Sequence, residues 1–249
     1  MNSLRVKARK LVGRAPEKQP PATKLNEAVN FPKKTIFIAV PKTGTTSIRD
    51  QLNEPGLPLI PEFHLTIRQV RDSLYTFLLT QALNRNHSFP TDPALVKTDD
   101  DLREEAAEIF RSFFKFASVR NPWARTVSLY KRREGVKVAK DMDFDTFCKQ
   151  LRYSSDTCRH PTRMPDQLDW MTDENGELLV DYVLKLEDQE NAVREINELT
   201  GGRLGLESRR LNSNPNSESE SYRDLYSREA RDHVAKAFQR DIEYFGYTF

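Results

Sequence analysis

Three short apolar runs along the chain have the pattern of strands covered on both faces, and helical spacing follows each of them. The first, Thr35-Ile36-Phe37-Ile38-Ala39-Val40, shows no polar alternation beyond Thr35. Phe113 to Val119 and Val180 to Leu186 repeat the pattern. Pro41 ends the first run, because it has no N–H to give to a ladder. Lys42-Thr43-Gly44 reads as a tight turn, and Thr45-Thr46-Ser47 opens a helix. Ile48 and Leu52 share one face of that helix, and Pro55-Gly56 stops it. After the second run, Asn121 suits a helix N-cap and Pro122 the first helical position. There Trp123, Val127 and Tyr130 share one face, while Arg125, Ser128 and Arg132 share the opposite one. Further helices are expected over Leu65 to Leu83, from Asp99 to Phe110, over Phe144 to Leu151, and from Glu187 to Leu199 ahead of Gly201-Gly202. A single amphipathic helix is expected from Tyr222 to Phe245, after a Ser/Asn/Glu-rich loop from Asn212 to Ser221.

Strand and helix alternate without a clear linker, which predicts one α/β domain over residues 33–249. Residues 1–32 differ: they are basic at Arg5, Lys7, Arg9, Lys10 and Arg14, carry Pro16, Pro20 and Pro21, and read as a flexible or loosely docked tail. A hydrophobic share of 37% permits a core. Lys+Arg 39 against Asp+Glu 37 leaves only +2, so no overall field points to a nucleic-acid partner. Cys148 and Cys158 form neither a disulfide framework nor a metal pattern, and with no CxxC or HExxH spacing no metal is expected. With no 18-residue apolar run and no secretory h-region, the expectation is a cytoplasmic enzyme without a transmembrane segment, or a trimmed form of an anchored one. In that setting the glycosylation pattern Asn86-His87-Ser88 carries no meaning. Lys131-Arg132-Arg133 with Lys137 and Lys140 reads as a solvated basic run, or as the rim of a ligand site.

The first strand, its turn and the helix after it make a candidate anion site. Backbone N–H groups, the positive helix end, three hydroxyls and the Lys42 ammonium converge there. The loop is not the nucleotide-hydrolysing GxxxxGK[ST] pattern, because Lys42 precedes Gly44 by two residues and the first glycine is missing. Arg120 stands at the carboxyl end of the second strand, where open α/β sheets bind ligands.

Pro41-Lys42-Thr43-Gly44-Thr45-Thr46-Ser47 resembles the 5′-phosphosulfate loop of the sulfotransferases. Val119-Arg120-Asn121-Pro122-Trp123 with Arg125 and Ser128 is similar to their 3′-phosphate motif. The order and the strand-first context match, and the likeness continues in Gly176 to Val183 and Arg240 to Tyr247. The closer likeness is to the carbohydrate-type group of Golgi and bacterial enzymes, rather than to the phenol and steroid enzymes. The resemblance implies a three-layer fold with a central parallel sheet, like that of the P-loop nucleotide kinases. It also implies sulfuryl transfer from 3′-phosphoadenosine 5′-phosphosulfate to an acceptor hydroxyl, with a glycan or glycolipid as the acceptor. The product would be adenosine 3′,5′-bisphosphate. Lys42 would then meet the leaving phosphate, and Thr45, Thr46 and Ser47 with their N–H groups would hold the 5′ end. Arg120 and Ser128 would hold the 3′-phosphate.

Two other readings compete. A nucleoside or sugar kinase would need a GK[ST] loop and an acidic magnesium ligand, for which Asp181 is a candidate. A non-catalytic module would keep the anion sites without a base. The base itself is expected at His64, between the two motifs in Glu62-Phe63-His64-Leu65-Thr66. His160 is the runner-up, Glu62 or Asp181 are alternatives, and His233 and His87 are expected on the surface. A rate that rises with pH near the ordinary histidine value of about 6.5 would accompany His64.

Overall fold

The computed structural model describes residues 22–85, 97–132, 142–153, 162–163, 166–209 and 221–249. Its central sheet is built from β1 (Val29–Asn30), β2 (Thr35–Ile38), β3 (Phe114–Val119) and β6 (Tyr182–Lys185), in the order β1-β2-β3-β6. β2, β3 and β6 run parallel, with Ile38 opposite Ala117 and Val119 opposite Lys185. β1 joins antiparallel at the edge. The small pair β4 (Arg152–Tyr153) and β5 (Thr162–Arg163) stands apart from this sheet.

Alternate residues of the buried strands face opposite layers, as the period of two requires. Ile36, Ile38, Ala117 and Val119 pack into one cluster with Val70, Leu74 and Phe77 of α2 (Ile67–Arg85) and Ala106 of α3 (Asp99–Ser112). Phe37, Phe116 and Leu184 pack on the other side, with Ile48 and Leu52 of α1 (Thr45–Leu52) and Val193 and Ile196 of α6 (Gln189–Leu199). The result is the three-layer α/β architecture that the resemblance implied. Thr98 and Asp101 cap α3 reciprocally, and the helix starts at Asp99 as its acidic run indicates.

A third cluster joins α4 (Pro122–Tyr130), α5 (Phe144–Gln150) and α7 (Arg228–Ala237) around Trp123, Val127, Phe147, Val234 and Phe238. Here the structure departs from the expected single C-terminal helix. Tyr222–Leu225 forms a separate 3-10 turn, Ser227 caps α7, and Phe238 breaks the line before α8 (Gln239–Phe245). The break has a packing reason. Val234 and Phe238 fill the third cluster, whereas Phe245 fills the cluster under α2 and α3, and a straight helix could not face both.

The boundary at residue 32 also needs correction. Leu25, Ala28 and Val29 are 0–3% exposed in the core. Lys24 donates to Asn53 Oδ1 and to the Glu54 carbonyl, both at 2.7 Å, and Asn30 Nδ2 donates to the Leu52 carbonyl at 2.8 Å. This segment therefore satisfies the last carbonyl of α1, one of those a helix leaves without partners, and ties down the two residues after it. Residues 1–21, residues 210–220 of the Ser/Asn/Glu-rich stretch, Asn86-His87-Ser88, Arg133, Lys137, Lys140, Cys158 and His160 lie outside the described residues.

Leu25→Ala tests the corrected boundary. Removing a fully buried leucine should cost about 2–5 kcal/mol of unfolding free energy, read from urea denaturation. A cost under about 0.5 kcal/mol, the scale of a surface change, would place residues 24–31 outside the domain.

Candidate active site

Beyond Ile38, β2 leaves its ladder, so the next carbonyls have no strand partner. Three side chains take them in turn. The Ala39 carbonyl lies 2.5 Å from His64 Nδ1. The Val40 carbonyl accepts from Thr43 Oγ1 at 2.8 Å, and the Pro41 carbonyl accepts from Arg125 Nε at 3.0 Å. Thr43 Oγ1 also meets Ser118 Oγ of β3 at 2.6 Å. The turn needs left-handed backbone at Lys42 (φ 70°) and at Gly44 (φ 75°). A Cβ on Gly44 would also press into Leu186. Gly44 is the N-cap of α1, and no side chain caps that helix. Its leading N–H groups thus meet whatever occupies the cavity beyond.

That cavity has a volume of about 560 Å³. Lys42, Gly44, Thr45, Thr46 and Ser47 line one side of it. Arg120 lines it from the β3–α4 junction and Ser128 from α4 itself, with Arg132 beyond them. His64 and Phe63 also line it. Eight of the expected site residues therefore share one cavity. The two that do not reach it are Pro41 and Thr43, both buried beneath the turn. Arg125, expected on the basic face, is only 1% exposed and braces the turn from below. α4 begins as its sequence indicates, with Asn121 accepting from the Trp123 N–H at 3.1 Å.

The structure also sorts the alternative bases. Asp181 precedes β6 and accepts from Lys115 N at 2.7 Å, at the amino end of the parallel strands. It is therefore at the opposite edge of the sheet, both as a base and as the magnesium ligand of a kinase. Glu62 Oε1 accepts from the His64 N–H at 2.7 Å and so holds the histidine backbone. His233 is exposed on α7, as expected. Among the described residues no group of three or more His, Cys, Asp or Glu side chains is arranged to hold a metal ion.

Sequence reasoning missed Arg49, Gln189, Leu186 and Arg209, which also line the cavity. Arg49 carried a usable signal, since it falls one turn after Thr45 on α1. Its Nε donates to Glu27 at 2.9 Å, and its guanidinium lies 3.3 Å from the centre of the Phe63 ring. The other three come from distant segments and carry no local pattern. The described lining holds five cationic side chains and no carboxylate, so the cavity is built for an anion.

Burial lowers the His64 pKa to about 4, opposed by the bond to Ala39 and reinforced by the positive charge of Arg49, Arg132 and Arg125. The imidazole is thus neutral near pH 7. With Ala39 accepting, the proton sits on Nδ1 and Nε2 keeps a lone pair. Burial also pulls the Arg120 guanidinium below the usual arginine value, against the pull of Glu187.

The sulfotransferase family model matches residues 28–248, nearly the whole chain. The chain belongs to the sulfotransferase family. As a sulfotransferase it is a transferase that moves a sulfuryl group to an acceptor hydroxyl. No curated protein and no solved structure matches it. Among its described residues no helix is long and apolar enough to cross a membrane.

The shifted histidine corrects the expected pH dependence. With His64 as the base, kcat/KM of the free enzyme should stay flat through 6.5 and fall only on an acid limb near 4. Stability follows the same sign. The unfolded chain binds the His64 proton near 6.5 and the native one near 4, so this contribution is complete above 6.5 and is lost as the pH falls towards 4. A kcat/KM limb centred at 6.5 contradicts the buried geometry.

Proposed function

We propose that this sulfotransferase moves the sulfuryl group of 3′-phosphoadenosine 5′-phosphosulfate to a hydroxyl on a carbohydrate or glycoconjugate. The observation that carries the reading is the single cavity lined by Lys42, the start of α1, Arg120, Ser128 and His64. It offers two anion anchors with a neutral imidazole beside them. The uncapped N–H groups and hydroxyls of Thr45, Thr46 and Ser47 suit the 5′ end of the donor. Arg120 and Ser128 suit its 3′-phosphate, which adenosine triphosphate lacks.

The donor supplies an activated sulfuryl group. The chain supplies position and fixed charge, as in phosphoryl transfer. His64 Nε2 takes the proton of the acceptor hydroxyl as the new oxygen–sulfur bond forms. The bond from sulfur to the bridging oxygen breaks, and its electron pair stays on the 5′-phosphate of adenosine 3′,5′-bisphosphate. Lys42 stabilises the negative charge that grows on that oxygen. Phe63 lines the cavity beside His64, with its ring 4.3 Å from the His64 ring and the Arg49 guanidinium over its face. The Glu62 bond to the histidine backbone keeps that arrangement in place.

Labelled-sulfate transfer, screened over oligosaccharides, glycolipids and tyrosine peptides, tests the reading together with two variants. Lys42→Ala should lower kcat by about 10²–10³ with little change in donor affinity, since its charge matters most in the transition state. Arg120→Ala should weaken adenosine 3′,5′-bisphosphate by more than about tenfold and leave adenosine 5′-phosphosulfate nearly unaffected. Normal turnover of Lys42→Ala at saturation, or equal weakening of both nucleotides by Arg120→Ala, overturns these roles. Transfer to tyrosine peptides alone would overturn the carbohydrate acceptor.

A further inference from the structure

Arg120 stands one residue past the end of its sheet. Pairing of β3 with β2 stops at Ala117, and pairing with β6 stops at Val119. The next peptide groups would lack ladder partners, yet both are satisfied. Gln167 Nε2 donates to the Arg120 carbonyl at 2.9 Å, and the Arg120 N–H donates to Gln167 Oε1 at 2.9 Å. One side-chain amide thus does what a neighbouring strand would do. Gln167 is fully buried and does not line the cavity. It is seated in turn by α8. The Gln167 N–H donates to Asp241 Oδ2 at 2.8 Å and the Leu168 N–H to Oδ1 at 3.1 Å, and Asp241 is also fully buried.

The residue after Arg120 is held independently. The Asn121 N–H donates to Glu187 Oε1 at 2.7 Å, and Asn121 Nδ2 donates to the Thr248 carbonyl at 2.8 Å. Loss of the Gln167 amide would therefore loosen Arg120 while leaving the cap of α4 in place. Among the described residues the Arg120 guanidinium has no hydrogen-bond partner of its own. Its direction is set by its backbone and its surroundings, and a long side chain has much rotamer freedom to lose.

We propose that Gln167, seated by Asp241, is the positioning residue for Arg120, and that this buried relay sets how strongly the protein prefers a nucleotide with a 3′-phosphate. The inference rests on Arg120 being the 3′-phosphate anchor. It gives α8 a part in ligand recognition although Asp241 does not line the cavity. An arginine aimed in advance gives up less freedom on binding, so the relay acts on affinity for the bisphosphate and not on chemistry at the sulfuryl group.

Calorimetric titration with adenosine 3′,5′-bisphosphate and with adenosine 5′-monophosphate separates the outcomes. The wild-type chain should prefer the bisphosphate by more than about tenfold. Gln167→Met keeps the side-chain length and removes both bonds. It should cut that preference by at least about fivefold and leave the monophosphate affinity and the saturated kcat close to wild type. An unchanged preference, or an equal loss for both nucleotides, overturns the relay. Should Gln167→Met not fold, Asp241→Asn keeps one acceptor oxygen and should show a smaller loss in the same direction, and an unchanged preference in that folded variant overturns the proposal equally. A wild-type chain that binds both nucleotides alike fails earlier, at the reading of Arg120 itself.

Discussion

Three carbonyls in a row, those of Ala39, Val40 and Pro41, leave the sheet at the same place, and each is taken by a different side chain. Everything else at the site hangs on that arrangement. A buried backbone carbonyl without a partner is costly, so the exit of β2 is stable only when His64, Thr43 and Arg125 are all in position. Thr43 ties the turn to β3 through Ser118, Arg125 ties it to α4, and His64 ties it to the segment before α2. The contact that fixes the imidazole tautomer is thus one of the contacts that shape the anion loop. Imidazole and loop are set by one local problem of hydrogen bonding.

Sheet register does the rest. Because β2 and β3 run parallel, with Ile38 opposite Ala117, the two motifs that follow them open on the same edge. Arg120 and Lys42 thereby line one cavity although they lie far apart in sequence. The cations gathered there would repel one another without a ligand. The structure offsets this by pairing Arg49 with Glu27 and setting Glu187 close enough to act on Arg120. Burial, reinforced by the same positive surroundings, keeps the His64 ring neutral, the state in which it can accept a proton.

Much of this was legible in the chain because it is local. The buried strands β2 and β3, the start of α4 at Asn121-Pro122 and the turn at Gly44 each follow from a few adjacent residues, whereas β6, expected to be covered on both faces, is an edge strand with only Leu184 buried. What was not legible depends on contacts across the sequence. Arg125 has the spacing of an exposed basic face, and only the approach of the Pro41 carbonyl turns it into a buried brace. Thr43 and Pro41 belong to the motif by sequence and lie beneath the turn by structure. The packing of residues 24–31 against the end of α1 depends on α1 being there, and composition alone marks them as tail. The break at Phe238 is tertiary in the same sense, since two separate clusters compete for one amphipathic pattern. Gln167 has no motif at all; its bonds to Arg120 exist only because Arg120 lies one residue past the last ladder pair, Val119 with Lys185.

On the proposed reading one cavity holds a nucleotide with two phosphates, the 5′ side on the start of α1 and the 3′ side on Arg120. A crystal structure of the chain with adenosine 3′,5′-bisphosphate tests this most directly. The 5′-phosphate is expected on the N–H groups of Thr45, Thr46 and Ser47 beside Lys42, and the 3′-phosphate on Arg120 and Ser128. A nucleotide bound the other way round, or outside this cavity, would contradict it.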